Sequence, residues 1–152
     1  MATAARCRWI GFLCCCTAEL LLCCFLSAGC GGSGEVPDPD VKQNLRSLFE
    51  VYQMYTNDKR LPPPDEAALR SYVETLPADR KASMFLPPNL DHLFVSVRDG
   101  QKFAIKYGVV PDPTVAAGLA WEQNGKDGKR FVALSMGYVE EYDEASFQAL
   151  QK

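Results

Sequence analysis

The chain has 152 residues and a mass of 16.8 kDa, a size that suits one domain. Its 16 basic and 19 acidic residues give a net charge of −3, which disfavours nucleic-acid binding because phosphate contacts need a basic surface. All seven cysteines lie within the first 30 residues, so the rest of the sequence offers no disulfide, thiolate nucleophile or cysteine metal site. The single histidine, His92, excludes the usual His-pair metal sites.

Residues 1–30 have the organisation of a lipoprotein signal peptide. A basic start is followed by an apolar stretch over residues 9–26 and then by small residues. The sequence Leu26-Ser27-Ala28-Gly29-Cys30 resembles the bacterial lipobox, in which small residues precede a cysteine that receives diacylglycerol and becomes the new N-terminus. Ala28, Gly29 and Cys30 match this pattern, whereas Ser27 stands where an aliphatic residue is usual. We therefore expect Cys30 to be lipidated and to anchor the protein in a membrane of the cell envelope, outside the cytoplasm.

Two other interpretations of this segment stay open. A plain signal peptide would be cleaved without lipidation, and a retained anchor would use residues 9–26, whose length is near the minimum of about 17 residues for a membrane span. Glu19 lies near the middle of that stretch and would cost about 2.5–3.5 kcal/mol on insertion scales. All three interpretations place the domain outside the cytoplasm.

The remainder divides into a flexible linker, residues 31–39, and a single domain, residues 40–152. Apolar residues recur at three- and four-residue steps from Val41 to Tyr55, which predicts an amphipathic helix that ends near Thr56. Asp65 is expected to cap a second, short helix, with Glu66 in its first turn, where the helix dipole favours an acid.

The next segment is predicted to be a loop that leads into a hairpin. Residues 77–91 form the loop, and Met84-Phe85-Leu86 is expected to pack into the core. Residues 93–97 and 103–107 flank the turn sequence Arg98-Asp99-Gly100. A three-residue turn with a left-handed Gly100 would pair Val95 with Phe103, whereas a two-residue turn would pair Val95 with Ala104. The first register is favoured because it gathers the large apolar groups on one face and leaves Phe94 and Lys106 outward, as a candidate partner surface.

The C-terminal third is predicted to complete an antiparallel sheet of about five strands. The three further strands span residues 116–123, 131–135 and 138–142, and Asp143 caps a short last helix over residues 144–150. The order of helix, helix, strands and helix predicts an α+β domain in which the helices pack on the sheet.

Two stretches of this domain resemble pseudopilin-like proteins of the type II secretion protein G kind, which are abundant in planctomycetes. One is the run from the amphipathic helix into the prolines, which contains Asn44-Leu45-Arg46, Tyr52, Tyr55, Asn57-Asp58 and Leu61-Pro62-Pro63. The other is the stretch over residues 130–140, which is similar to the closing hairpin of that family. The resemblance implies a pseudopilin-like head carried by a lipoprotein.

The sequence also departs from that family. Its signature is a His, nine residues and then Asp-Gly; aligning Gly137 places Lys126 at the His position and Met136 at the Asp position. Any role that those two side chains have in the family therefore does not carry over to this chain.

The residues that could take part in catalysis or metal binding are more simply explained by structural roles. His92 has only Asp91 as a close potential partner in sequence and is expected at the surface or at a strand edge. The acidic cluster Glu140-Glu141-Tyr142-Asp143-Glu144 could suit Ca²⁺, but strand alternation sends Glu140 and Glu141 to opposite faces, which favours a solvated edge. The sequence thus predicts no catalytic, cofactor or metal site, and a peptide- or glycan-binding surface remains an alternative use of the tyrosines and Trp121.

These observations predict a non-enzymatic, lipid-anchored cell-envelope protein with a structural or interaction role. Its expected partners are the membrane, through the lipid on Cys30, and another envelope protein; no nucleic acid or small-molecule substrate is inferred. The alternative is an accessory pseudopilin-like subunit of a secretion system.

Overall fold

The computed structural model describes residues 38–151 of the chain. The chain divides after Ser33 into two units, and all the described residues belong to the second, Gly34–Lys152. They fold into α-helices and an antiparallel sheet, so the predicted α+β class is confirmed. The sheet has four strands instead of the five expected.

The first helix, α1, spans Asp38–Lys59 and begins within the last residues of the predicted linker. Val41, Leu45, Leu48 and Tyr52 recur on one face and are all buried, as the apolar spacing predicts. Ser47 is buried as well, and its hydroxyl donates to the carbonyl of Met84 at 2.7 Å, which fixes the loop that crosses the helix. Helix α1 is therefore in contact with the rest of the domain through this polar residue as well as through its apolar face.

The second helix, α2, spans Glu66–Thr75 and has the predicted cap. The Asp65 carboxylate accepts a hydrogen bond from the backbone N–H of Ala68 at 2.8 Å. The following residues are not the continuous loop that was expected, because they contain helix α3, Ala78–Ser83, and a 3₁₀ helix, Leu90–Leu93.

The apolar run after α3 is only partly buried. Met84 is 5% exposed, as expected, whereas Phe85 is 72% exposed. The backbone of Phe85 adopts a left-handed φ of 52°, so the chain turns there instead of inserting a second large side chain into the core. The expectation that Phe85 enters the core was wrong.

The sheet is an antiparallel meander. Its strands follow one another in the order β1, Ala104–Ile105; β2, Gly118–Trp121; β3, Lys129–Leu134; and β4, Val139–Asp143. The predicted first strand is missing because Leu90–Leu93 is a 3₁₀ helix, and the residues after it form only an isolated bridge between Val95 and Lys102.

That bridge shows that both predicted registers of the hairpin were wrong. Pairing Val95 with Lys102 leaves a four-residue turn, residues 97–100. The turn is set by Asp99, whose carboxylate accepts from the backbone N–H groups of Gln101 (2.9 Å), Asn124 (3.0 Å) and Gly125 (3.1 Å). The left-handed conformation of Gly100 is confirmed, with φ 69°.

The proposed outward face of this hairpin does not exist. Phe94 is 1% exposed, and the guanidinium of Arg70 lies over it, 4.2 Å from the centroid of the Phe94 ring. Lys106 is half-buried and packs over Trp121. Phe94 and Lys106 therefore do not form the outward partner surface that the predicted register implied.

Both faces of β3 are buried. Phe131 and Ala133 join the main core with α1, whereas Val132 and Leu134 pack on the opposite face. That second face is covered by helix α4, Glu144–Leu150, whose Phe147 lies 5.6 Å from the ring of Trp121. As predicted, Asp143 caps α4 by accepting from the N–H of Ser146 at 2.8 Å.

Candidate functional site

The predicted lipidation residue, Cys30, lies outside the described residues, as does the linker up to residue 37. None of the helices within residues 38–151 is both long and apolar enough to cross a membrane.

His92 is exposed and contributes to the fold through its backbone. Its carbonyl accepts a hydrogen bond from the side-chain amide of Asn44 at 3.0 Å, which ties the 3₁₀ helix to α1. Its sequence neighbour Asp91 is exposed and paired instead with Arg70, at 2.8 Å. His92 and Asp91 are adjacent in sequence but have different partners, Asn44 and Arg70.

Glu66 belongs to an ion-pair network on the surface. It binds Arg70 at 2.7 Å and Lys102 at 3.1 Å, which joins α2 to the hairpin that precedes β1. Burial acts to raise the pKa of Glu66, but the hydrogen bonds and charges of Arg70 and Lys102 outweigh it and hold that pKa below its usual value.

The acidic residues around β4 have separate partners. Glu141 binds Arg98 at 3.0 Å, Glu144 binds Arg130, Asp143 caps α4, and Glu140 accepts from the Tyr142 hydroxyl at 2.7 Å. Their oxygens do not converge, and no group of three His, Cys, Asp or Glu residues in the described part of the chain could hold a metal ion.

The buried charged residue that sequence reasoning missed is Glu122. Its side chain is 0% exposed, and its carboxylate accepts from the hydroxyl of Ser96 at 2.6 Å and from the N–H of Phe131 at 2.9 Å. Glu122 follows β2 directly, and its own N–H donates to the carbonyl of Phe131 at 3.1 Å. The carboxylate therefore continues the β2–β3 ladder where the two strands separate.

Arg98 completes this buried cluster. Its Nε lies 3.7 Å from Glu122, its side chain is 4% exposed, and its guanidinium stacks 4.5 Å from the centroid of Phe131. Because the same guanidinium also reaches Glu141 on β4, one arginine links the turn at residues 97–100 to β2, β3 and β4. Strand alternation was the available signal: Glu122 stands at the inward position next to Trp121.

A groove of about 300 Å³ lies between α1 and α2. Its lining consists of Tyr55, Lys59, Ala68, Ser71, Tyr72 and Thr75. The rings of Tyr55 and Tyr72 meet edge to face at 5.3 Å, and the Tyr72 hydroxyl donates to Asp58 at 2.5 Å. Burial and the neighbouring Asp58 carboxylate raise the pKa of Tyr72 to about 12, so this hydroxyl stays protonated above pH 10, where a free tyrosine ionises.

Tyr52 uses its hydroxyl to close the core. Its ring is buried in α1, and its hydroxyl contacts the carbonyls of Lys106 (3.1 Å) and Val109 (2.8 Å). Burial raises the pKa of Tyr52, although the bond to Val109 acts in the opposite direction. This tyrosine therefore holds the segment after β1 against α1.

Comparison of the chain with protein-family models, with curated proteins and with solved structures finds no significant match.

Proposed function

We propose that this chain is a lipid-anchored, non-enzymatic protein of the cell envelope that acts through a structural or interaction role. The observation that carries the proposal is the sequence Leu26-Ser27-Ala28-Gly29-Cys30, followed by a Gly-rich tether. A diacylglyceryl group supplies two acyl chains, which suffices for stable membrane attachment, whereas a single chain binds reversibly.

The contacts of the domain's acidic side chains support the non-enzymatic part of this proposal. Asp65 and Asp143 cap helices, Asp99 holds a turn, and Glu122 secures the end of a strand pair. Each of these four carboxylates therefore has a structural role in the fold.

The experiment compares the wild type with Cys30→Ala in bacteria supplied with a clickable palmitate analogue. The wild type should incorporate the analogue and fractionate with membranes, and Cys30→Ala should lose the incorporation. Cys24→Ala is the matched control, because it changes a cysteine of the apolar stretch and should keep the label. Equal labelling of wild type and Cys30→Ala, or none in either, would contradict the proposal.

One observation favours a second candidate, an accessory subunit of a secretion pseudopilus. The 22-residue helix α1 packs across an antiparallel meander sheet, an arrangement in keeping with the pseudopilin-like resemblance of residues 44–63 and 130–140. Genes for a secretion ATPase and a secretin beside this gene would favour that role, and co-purification with those products would test it.

A further inference from the structure

The outer edge of β4 has no neighbouring strand in the described sheet. β4 is the terminal strand of the sheet in residues 38–151, and it pairs with β3 from Val139–Ala133 to Asp143–Lys129. At the other end of the sheet β1 has only two residues, which is a usual protection against pairing. β4 has five residues, of which Glu140, Glu141 and Asp143 are exposed.

The register shows which backbone groups point outward. The N–H of Leu134 donates to the carbonyl of Tyr138 at 2.8 Å, so the hydrogen-bonded positions of β4 along β3 are Tyr138, Glu140 and Tyr142. The N–H and C=O groups of Val139 and Glu141 therefore point away from β3. These are the groups that an added strand would bind.

The side chains of β4 differ between its two faces. One face carries Glu141 and Asp143 beside Val139, which joins the main core. The other face carries Tyr142 and the 63% exposed Tyr138, with Glu140 between them. A strand that alternates basic and apolar residues would match both faces, since its cations would oppose Glu141 and Asp143.

The charge of this edge argues against a second copy of the chain as the occupant. From residue 138 to residue 151 the sequence has four acidic residues and no basic one. Antiparallel pairing of β4 with itself around Glu141 would set two copies of this glutamate opposite each other, which is destabilising. Three cations stand beside these acids: Arg98 binds Glu141, Arg130 binds Glu144, and Lys129 lies opposite Asp143 on β3. Because Arg98 also faces the buried Glu122, the three cations serve five carboxylates, so this end of the sheet stays acidic.

We propose that β4 binds an extended basic segment of a partner protein, which adds to the sheet as a fifth strand. The interaction would supply the partner that the proposed interaction role requires. It depends on that role but not on the lipid, because every group involved lies in the domain. If this protein binds such a segment but carries no acyl group, the lipid-anchor proposal is wrong and the β4 proposal is still supported.

The test measures binding of a short fluorescent peptide that alternates lysine and valine to the mature protein in detergent, by fluorescence anisotropy. Glu141→Pro and Glu141→Gln both lose the ion pair with Arg98, but only the proline removes the outward N–H. We expect Glu141→Pro to bind about two- to tenfold more weakly than Glu141→Gln, the range that corresponds to one lost backbone hydrogen bond. Equal affinities, or no binding to the wild type, would overturn the proposal.

Changes to the peptide give a test that does not depend on the folding of a variant. A lysine opposite Glu141 directs its backbone N–H at β4, whereas the backbone N–H of a valine points away. Methylation of the backbone nitrogen of the lysines should therefore abolish binding, and methylation of the backbone nitrogen of the valines should preserve it. A peptide that alternates glutamate and valine should bind at least about tenfold more weakly than the lysine peptide. Binding that is indifferent to N-methylation, or to the sign of the charge, would contradict a basic added strand.

Discussion

Replacing Glu122 by glutamine should destabilise the domain strongly although the two side chains have nearly the same shape. The carboxylate has two acceptor oxygens, one for the Ser96 hydroxyl and one for the Phe131 N–H, and it lies 3.7 Å from Nε of Arg98. A glutamine keeps one acceptor and turns an NH₂ group towards the other donor. It also removes one of the two carboxylates that face the buried guanidinium of Arg98.

The size of the effect follows from these contacts. Losing one charge-assisted hydrogen bond costs about 1.5–3 kcal/mol. Breaking a buried ion pair outright costs about 3–5 kcal/mol, and this sets the upper limit here because Arg98 keeps Glu141. We expect the free energy of unfolding to fall by about 2–4 kcal/mol. For a domain of this size, the melting temperature would drop by about 10 °C.

Urea denaturation followed by circular dichroism measures this difference. Glu74→Gln is the control, because Glu74 is an exposed residue of α2 and its substitution should change the free energy of unfolding by less than about 0.5 kcal/mol. If Glu122→Gln is as stable as Glu74→Gln, the buried cluster does not hold the turn at residues 97–100 in place, and the reasoning fails.

Three further predictions concern single side chains. Gly100→Val should destabilise by about 1–2 kcal/mol and Gly100→Asn by much less, since φ is 69° and open space surrounds the site; equal unfolding midpoints would refute backbone strain as the cause. Tyr52→Phe should lower the free energy of unfolding by about 1–2 kcal/mol, because the carbonyl of Val109 loses its hydrogen-bond donor; an unchanged melting temperature would contradict this. The pKa of Tyr72 is raised to about 12, so the stability it contributes is fully present below pH 10 and is lost as the pH rises through 12. Asp58→Asn should move the Tyr72 part of the tyrosinate absorbance titration to lower pH, and an unmoved titration would exclude Asp58 as a cause.

Local signals predicted helices α1, α2 and α4, but not α3 or the 3₁₀ helix Leu90–Leu93. The cap at Asp65 and the cap at Asp143 both follow from a short acceptor side chain placed before an apolar periodic run, and both are present. The buried face of α1 follows from spacing alone. These features depend on residues within a few positions of one another, which is why the sequence contains enough information to place them.

The hairpin around Gly100 could not be predicted in the same way. Apolar alternation favoured pairing Val95 with Phe103, but the turn is determined by Asp99, which binds the N–H groups of Asn124 and Gly125 at 3.0 and 3.1 Å. Glu122 is a related case, because its partners Ser96 and Arg98 lie more than 20 positions earlier. Long-range polar contacts of this kind leave little trace in local periodicity.

The edge of β4 was identified in part from the sequence. The prediction of a solvated acidic edge around Glu140 and Glu141 agrees with their exposure. What the sequence did not provide was the register with β3, which decides that Glu141 and not Glu140 directs its backbone outward. The experiment with Glu141→Pro depends on that difference.

The most direct test of the lipid-anchored assignment is the mass of the N-terminal peptide of the mature protein, purified from bacterial membranes and analysed by mass spectrometry. We predict that this peptide begins at Cys30 and carries the mass of a diacylglyceryl group. The same peptide beginning at Cys30 or Gly31 without lipid, or a peptide that still contains residues 9–26, would show a plain signal peptide or a retained anchor and would contradict the account.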